Sequence, residues 1–185
     1  MKGHEILIEA AARVRASLPE ARFLIVGDAL VPGEAEHYKQ KLYRMVADLD
    51  LQQTVLFAGK RSDIPAILAA SDVAAVPSLS ENVGGAVEPL LMERPVVASA
   101  VGGLPDVVRD GETGYLAPPR DPGALADALL HTLTLPAAVR RAMGRRGRVI
   151  VQELFDLNKT VGQTVQLYEE LLSAPGMRGL RWARR

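Results

Sequence analysis

Short apolar, β-rich runs alternate with helical stretches through the first two thirds of this chain, and that alternation constrains its fold more than any other feature. Phe23 to Val26 is a four-residue apolar run closed by Gly27-Asp28, and Thr54 to Phe57 is a second, ending at Gly59. Val73 to Val76 stops at Pro77-Ser78, Pro95 to Ala98 leads to Gly102-Gly103, and Tyr115-Leu116 forms a last small run. Runs this short, each bounded by glycine or proline and separated by helical periodicity, point to parallel βα units rather than a sandwich or a bundle. Between them, Ile6, Leu7, Ala10, Ala11, Val14 and Leu18 recur at helical spacing from His4 onward. Glu34 to Leu49 reads as a charged helix, Ser62-Asp63 as a helix start running to Ala70, and Gly84 to Met92 as another helix. Pro105 opens a short helix.

From Asp121 onward the pattern is helical throughout. Helices start at Asp121-Pro122 and Pro136, and a last one runs from Leu157 to Leu172 with Leu157, Val161, Val165, Tyr168 and Leu172 on one stripe. The expectation is one α/β domain over residues 1–174: a parallel sheet with helices on both faces and a helical C-terminal appendage. Residues 175–185 are expected to be a disordered basic tail. The chain opens inside its first helix, with no strand ahead of it. In the doubly wound order 3-2-1-4-5-6 the first strand is central, so its loss leaves two inner edges unpaired. Three outcomes are open: a truncated domain, a sheet that closes up differently, or a strand from another chain. The exposed edge predicts marginal stability, or a homo-oligomer formed through it.

Composition narrows the chemistry. With 185 residues, 48% apolar and 24% charged, the chain is long enough for a real core. Its 22 lysines and arginines balance 22 aspartates and glutamates, which argues against a nucleic-acid partner and gives no sign of membrane association. There is no cysteine, so disulfides, thiolate catalysis and zinc–cysteine sites are excluded. No apolar run approaches the roughly 20 residues of a membrane span, and no signal peptide opens the sequence, so a cytoplasmic location is the default. His4, His37 and His131 are scattered without metal or triad spacing, and no metal site is expected. The arginines Arg140, Arg141, Arg145, Arg146 and Arg148 read as a solvated helix face.

The chemistry concentrates between Pro77 and Gly103, in PSLSENVGGAVEPLLMERPVVASAVGG. Here Glu81 and Glu88 flank a glycine pair where a strand ends and a helix begins, the edge at which open parallel sheets bind ligands. Helix-start amides attract phosphate, glycines allow close approach, and a carboxylate one turn in can accept from a ribose diol. The residues support an equal alternative, in which Glu88 complements the helix dipole and Glu81 closes an S-x-x-E box with Ser78.

These stretches, in this order, resemble the family 4 (group 1) glycosyltransferases of the GT-B type, over the domain that binds the sugar nucleotide. The likeness runs from Lys2-Gly3-His4-Glu5 through LIVGD, VLFAGKRSD, SDVAAVPSLSE, PVVASAVGGLPDVV and DGETGYLAPPRDP to Leu167-Tyr168-Glu169-Glu170-Leu171. It implies a Rossmann-like fold and transfer of a sugar from a nucleotide diphosphate donor to an acceptor hydroxyl. Retention at the anomeric carbon and no metal or cofactor are implied as well. It assigns Glu88 to the ribose, Glu81 to the transferred sugar and diphosphate, and the Gly84 and Gly85 amides to that diphosphate. Lys2 would neutralise the leaving diphosphate, so Glu81 and Lys2 are the catalytic candidates. Lys60 and Arg61 fall in the loop that lines the base. Two departures stand out. Six residues separate Glu81 from Glu88 where the family has seven, with Ser80 eight positions before Glu88, which rotates Glu81 relative to the sugar pocket. The arginine that partners Lys2 in the family, and the acceptor-binding N-terminal domain, are expected outside this sequence. An incomplete nucleotide-sugar-binding or interaction module is therefore the competing reading, with a sugar-nucleotide epimerase of the same fold well behind.

Overall fold

A computed structural model describes residues 2–28 and 33–173. The contacts divide the chain into Met1–Val151 and Gln152–Arg185; the expected basic tail lies outside the described residues. In order, the elements are α1 (His4–Ser17), β1 (Phe23–Val26), α2 (Glu34–Asp48), β2 (Val55–Gly59), α3 (Ile64–Ala70) and β3 (Ala74–Val76). There follow α4 (Gly84–Leu91), β4 (Val96–Ser99), α5 (Leu104–Val107), β5 (Gly114–Ala117), α6 (Pro122–Thr134), α7 (Ala137–Leu154) and α8 (Leu157–Ser173). Asp121 caps α6 through its carboxylate, which accepts from the Ala124 amide at 2.9 Å.

All strand pairs are parallel, and they form two ladders rather than one. One holds β1 and β2, with Phe23 opposite Val55; the other runs β3-β4-β5, with Ala75 opposite Val97 and Val97 opposite Tyr115. Of the three outcomes open for the sheet, closing up differently is ruled out: among the described residues no ladder joins β1 to β3. The break lies where the order 3-2-1-4-5-6 places its first strand.

One core serves both ladders. Ile8, Ala11 and Val14 of α1 pack with Leu42 and Val46 of α2, Leu125 and Leu129 of α6, and residues from all five strands. On the opposite face Val96 and Ala98 pack beneath Ala86 and Leu90 of α4 and Leu104 and Val107 of α5. Both faces of β4 are thus covered, and all four of its residues are buried.

Of the α7 arginines, Arg141, Arg145, Arg146 and Arg148 are exposed, as expected of a solvated face, and Arg140 departs from it. Arg140 donates to the carbonyls of Leu133 (2.8 Å) and Leu135 (2.6 Å) at the end of α6 and pairs with Asp72 at 3.0 Å. Arg146 donates to the Glu112 carbonyl and Arg148 pairs with Glu93. Carbonyls orphaned at a helix end explain the Arg140 contact, which helical periodicity does not reveal. No helix of the described residues is long and apolar enough to cross a membrane.

Candidate functional site

The site is built where β3 ends and α1 and α4 begin. Gly3 carries a left-handed φ of 67° just ahead of α1, and a Cβ there would lie 1.9 Å from the Pro77 carbonyl oxygen. Only glycine allows that approach, which brings the adjacent Lys2 to the carboxyl end of β3. There the Lys2 ammonium donates to Glu81 Oε2 at 2.5 Å across a sequence separation of 79 residues. The Ser78 hydroxyl, itself 1% exposed, donates to the same oxygen at 3.2 Å, and the Asn82 amide donates to Oε1 at 3.3 Å. With its side chain 9% exposed, Glu81 is held from three directions, and the Lys2 hydrogen bond above all keeps its carboxyl below the usual carboxylate range.

The loop from Glu81 to Val83 is braced from behind. Gly102, at φ 55°, lies so close to the Glu81 carbonyl that a Cβ would sit 1.7 Å from its oxygen, and at Gly103 a Cβ would meet the Val83 side chain at 2.8 Å and the Asn82 carbonyl oxygen at 3.1 Å. The Gly102-Gly103 turn after β4 therefore sets the height of the Glu81 loop. Gly85 closes the cluster on its other side, where a Cβ would stand 3.3 Å from Glu81 Oε2 and 3.0 Å from Val76. Lys2, Ser78, Glu81 and Gly85 are consequently one constellation.

The other site candidates sit differently. The Gly84 amide donates to Asn82 Oδ1 at 3.0 Å, and the Val83 amide to the same oxygen at 2.7 Å. Asn82, one residue ahead of the Val83 N-cap, thus takes the first two amides at the start of α4, and Gly85 is the next amide in line with no partner among the described residues. The Ser78–Glu81 contact joins two side chains; it is not a capping box, since α4 starts three residues beyond Glu81. Glu88 lies on the exposed face of α4, one turn in, and has no partner among the described residues. The following Pro89 has no N–H and leaves a gap in the helix ladder at that turn. Lys60 and Arg61 are exposed at the carboxyl end of β2; Arg61 is clamped by both carboxylate oxygens of Asp63 at 2.8 and 2.7 Å. That clamp holds the exposed Asp63 below its ordinary pKa.

The histidines do not converge. His4 has a buried Nδ1 without a partner among the described residues, and burial lowers its pKa. Its ring lies 6.1 Å from that of Tyr38, whose hydroxyl is pushed up to about 12 by burial and donates to Glu5. His37 contacts the Gly33 carbonyl, and His131 meets the Tyr115 hydroxyl at 3.0 Å. Asn82 and the brace of Gly102-Gly103 are the site features that sequence reasoning missed. An asparagine two residues ahead of a helix start, able to take nearby backbone amides, was the available signal for the first.

Residues 1–134 match the family described as glycosyl transferases group 1. D-inositol 3-phosphate glycosyltransferase of Mycobacterium tuberculosis is 39% identical over 153 residues, covering 81% of this chain and 29% of that protein. Among solved structures, sucrose-phosphate synthase from Thermosynechococcus elongatus superposes with a TM-score of 0.80 at 33% identity, over 94% of this chain and 43% of its own. Anabaena HepE in complex with UDP superposes at 0.83 and 31% identity, over 92% of this chain and 46% of its own. The chain thus spans less than half the length of these relatives, corresponding to a C-terminal-like part of a GT-B enzyme. It belongs to the group 1 glycosyl transferases.

Proposed function

We propose that the Lys2–Glu81–α4 cluster is the donor site of the enzyme, holding a nucleotide diphosphate sugar whose sugar passes to an acceptor hydroxyl. The observation that carries this reading is the Lys2–Glu81 pair, set against the start of α4 at the carboxyl edge of β3. Lys2 is 62% exposed along its side chain, so its ammonium keeps N–H groups for a diphosphate while Glu81 fixes its position. The Gly85 amide is the second donor for the same phosphates, and Asn82 can release the Gly84 amide as a third. The Glu88 carboxylate, exposed one turn along α4 and without a side-chain partner among the described residues, accepts from the ribose hydroxyls in this reading. Departure of the nucleotide diphosphate leaves negative charge on the phosphate oxygen, and a preorganised cation there lowers the barrier most.

In this account Lys2 provides the positive charge at the diphosphate without a metal, and the transfer proceeds with retention. Both follow from the family resemblance. Anabaena HepE, solved with UDP, supports a uridine nucleotide as the first donor to try. A second reading rests on the chain's length relative to its relatives: residues 1–185 bind donor but turn over only with an acceptor-binding partner. Thermal-shift titration with UDP, GDP, ADP and their sugars tests the donor site. A nucleotide at about 100 times its Kd raises stability by roughly 2.7 kcal/mol. That gain should vanish in Glu88→Ala, and no gain with any nucleotide sinks the proposal.

A further inference from the structure

We infer that Tyr38 of α2 is a positioning residue of the donor site, whose hydroxyl caps the start of α1 and thereby holds Lys2 on Glu81. What Lys2 does for a donor rests on the donor-site reading, whereas the hold of Tyr38 on Lys2 stands on contacts of its own. Lys2 lies two residues ahead of α1, so the course of its backbone depends on how that helix begins. The N-cap residue is Gly3, which has no side chain to take the first amides. Those amides are orphan donors. The cap comes instead from the neighbouring helix α2.

The Tyr38 hydroxyl stands over the first turn of α1. It donates to Glu5 Oε2 at 3.1 Å, and its oxygen accepts from the His4 and Glu5 backbone amides. The other oxygen of Glu5 accepts from Lys41, one turn further along α2, at 2.6 Å. Glu5 sits in the first turn of α1, where a carboxylate also complements the positive end of the helix. Tyr38, Glu5 and Lys41 thus form one chain of hydrogen bonds between the two helices. The ring that carries the hydroxyl is itself fixed. It packs against the core in line with the buried Leu42 and Val46 along α2, 6.1 Å from the His4 ring. A phenylalanine there keeps the packing and loses only the polar contacts.

Gly3 passes this hold to Lys2. Its carbonyl accepts from the Leu7 amide at 3.2 Å, and its α-carbon is closed against the Pro77 carbonyl. Gly3 is therefore pinned between the first turn of α1 and the exit of β3, and any shift of that turn carries Lys2 with it. The lysine side chain is largely exposed and ends on Glu81. An exposed ammonium on a flexible stem gives up rotamer freedom to reach one carboxylate, so the pair depends on a fixed backbone at Lys2. Buried Leu7, Ile8 and Ala11 fix the body of α1, but a helix end frays where its amides lack partners. A charge aimed at a departing diphosphate acts through its placement, which makes this end of α1 matter to the site.

The test is a carbon-13 titration of the Glu81 carboxyl in the full chain, in the parent, Lys2→Ala, Tyr38→Phe and the double variant. UDP affinity is measured on the same four by calorimetry. The Lys2 contact holds this carboxyl below its ordinary 4.5, so Lys2→Ala should move it up towards that value. Tyr38→Phe should give more than half of that rise and weaken UDP about fivefold. In the double variant it should add nothing to Lys2→Ala in either measurement. Tyr43→Phe, on the same helix but packed edge-on to Phe57 at 4.5 Å, should leave both unchanged. Glu5→Ala removes the carboxylate that orients the hydroxyl and should move Glu81 in the same direction, which keeps the test open if Tyr38→Phe does not fold. A Glu81 carboxyl that stays put in Tyr38→Phe, whether or not Lys2→Ala moves it, overturns the inference. So do effects that add in full in the double variant, or UDP binding weakened by Lys2→Ala and not by Tyr38→Phe. If the carboxyl moves as stated and neither variant weakens UDP, the hold of Tyr38 on Lys2 stands and the donor-site reading of Lys2 fails.

Discussion

Strands β1 and β4 are each four residues long, apolar and parallel to their neighbours, yet they stand in opposite situations. β4 has β3 and β5 on its two edges and helices on both faces, and all four of its residues are buried. β1 has β2 on one edge only, and of its residues only Ile25 is buried while Leu24 stands 47% exposed. Composition does not separate them, since FLIV is more apolar than VVAS. Burial in a parallel sheet comes from what flanks a strand, so sequence states a capacity that the neighbours realise. The candidate site lies on the well-flanked half: Glu81 follows β3, and the Gly102-Gly103 brace follows β4.

The comparison can be broken first at its rigid end. Gly114 of β5 sits so close to β4 that a Cβ would lie 1.8 Å from the Val96 carbonyl oxygen. Gly114→Val should cost about 3 kcal/mol or more in urea denaturation, because backbone cannot yield as a side chain can. Next comes a matched pair. Val97→Ala, in the buried middle of β4, should cost about 2 kcal/mol. Leu24→Ala on β1 should stay within about 0.5 kcal/mol; equal costs would erase the distinction between the two halves.

Gly102→Ala tests the link from the rigid half to the site. It forces a β-carbon into the Glu81 carbonyl at a left-handed φ, at a cost of about 1–2 kcal/mol. Its larger signature should be in binding, with UDP affinity falling at least about tenfold by calorimetry. Lys2→Ala should have the smallest effect on stability, less than about 1 kcal/mol, since the lysine is mostly exposed. Its pH signature is specific. The Glu81 carboxyl is held below its ordinary value of 4.5, so the pair contributes fully above that pH and loses its contribution as pH falls through the lower folded-state value. The stability gap between Lys2→Ala and the parent chain should therefore close on acidification below about pH 4.5, measured by denaturation at stepped pH.

Most of the secondary structure was legible because its signals are local. Glycine or proline ends each apolar run, and the expected strands at Phe23–Val26 and Val73–Val76 match β1 and β3 to within a residue. The split into two ladders was not visible in the strand signals themselves, which are alike in β1 and β3. The site was legible only in part. The Lys2–Glu81 contact spans 79 residues and no spacing rule foretells it; the family resemblance brought both residues forward separately. Asn82 gave no N-cap signal, because its side chain takes the Val83 and Gly84 amides from one residue ahead of the N-cap position, where capping preferences do not single out asparagine. The bidentate Asp63 clamp on Arg61 was hidden for the opposite reason: Asp63 looked like a cap for α3, and a guanidinium two residues away took its carboxylate.

The most direct test of the donor site is to follow backbone amide resonances of the labelled chain during UDP titration. Saturable shifts should concentrate at Lys2 and Gly3, from Glu81 to Glu88, and at Gly102 and Gly103. Shifts confined to the arginine-lined surface around Arg94, Arg140 and Arg141, or no shifts at all, would contradict the account.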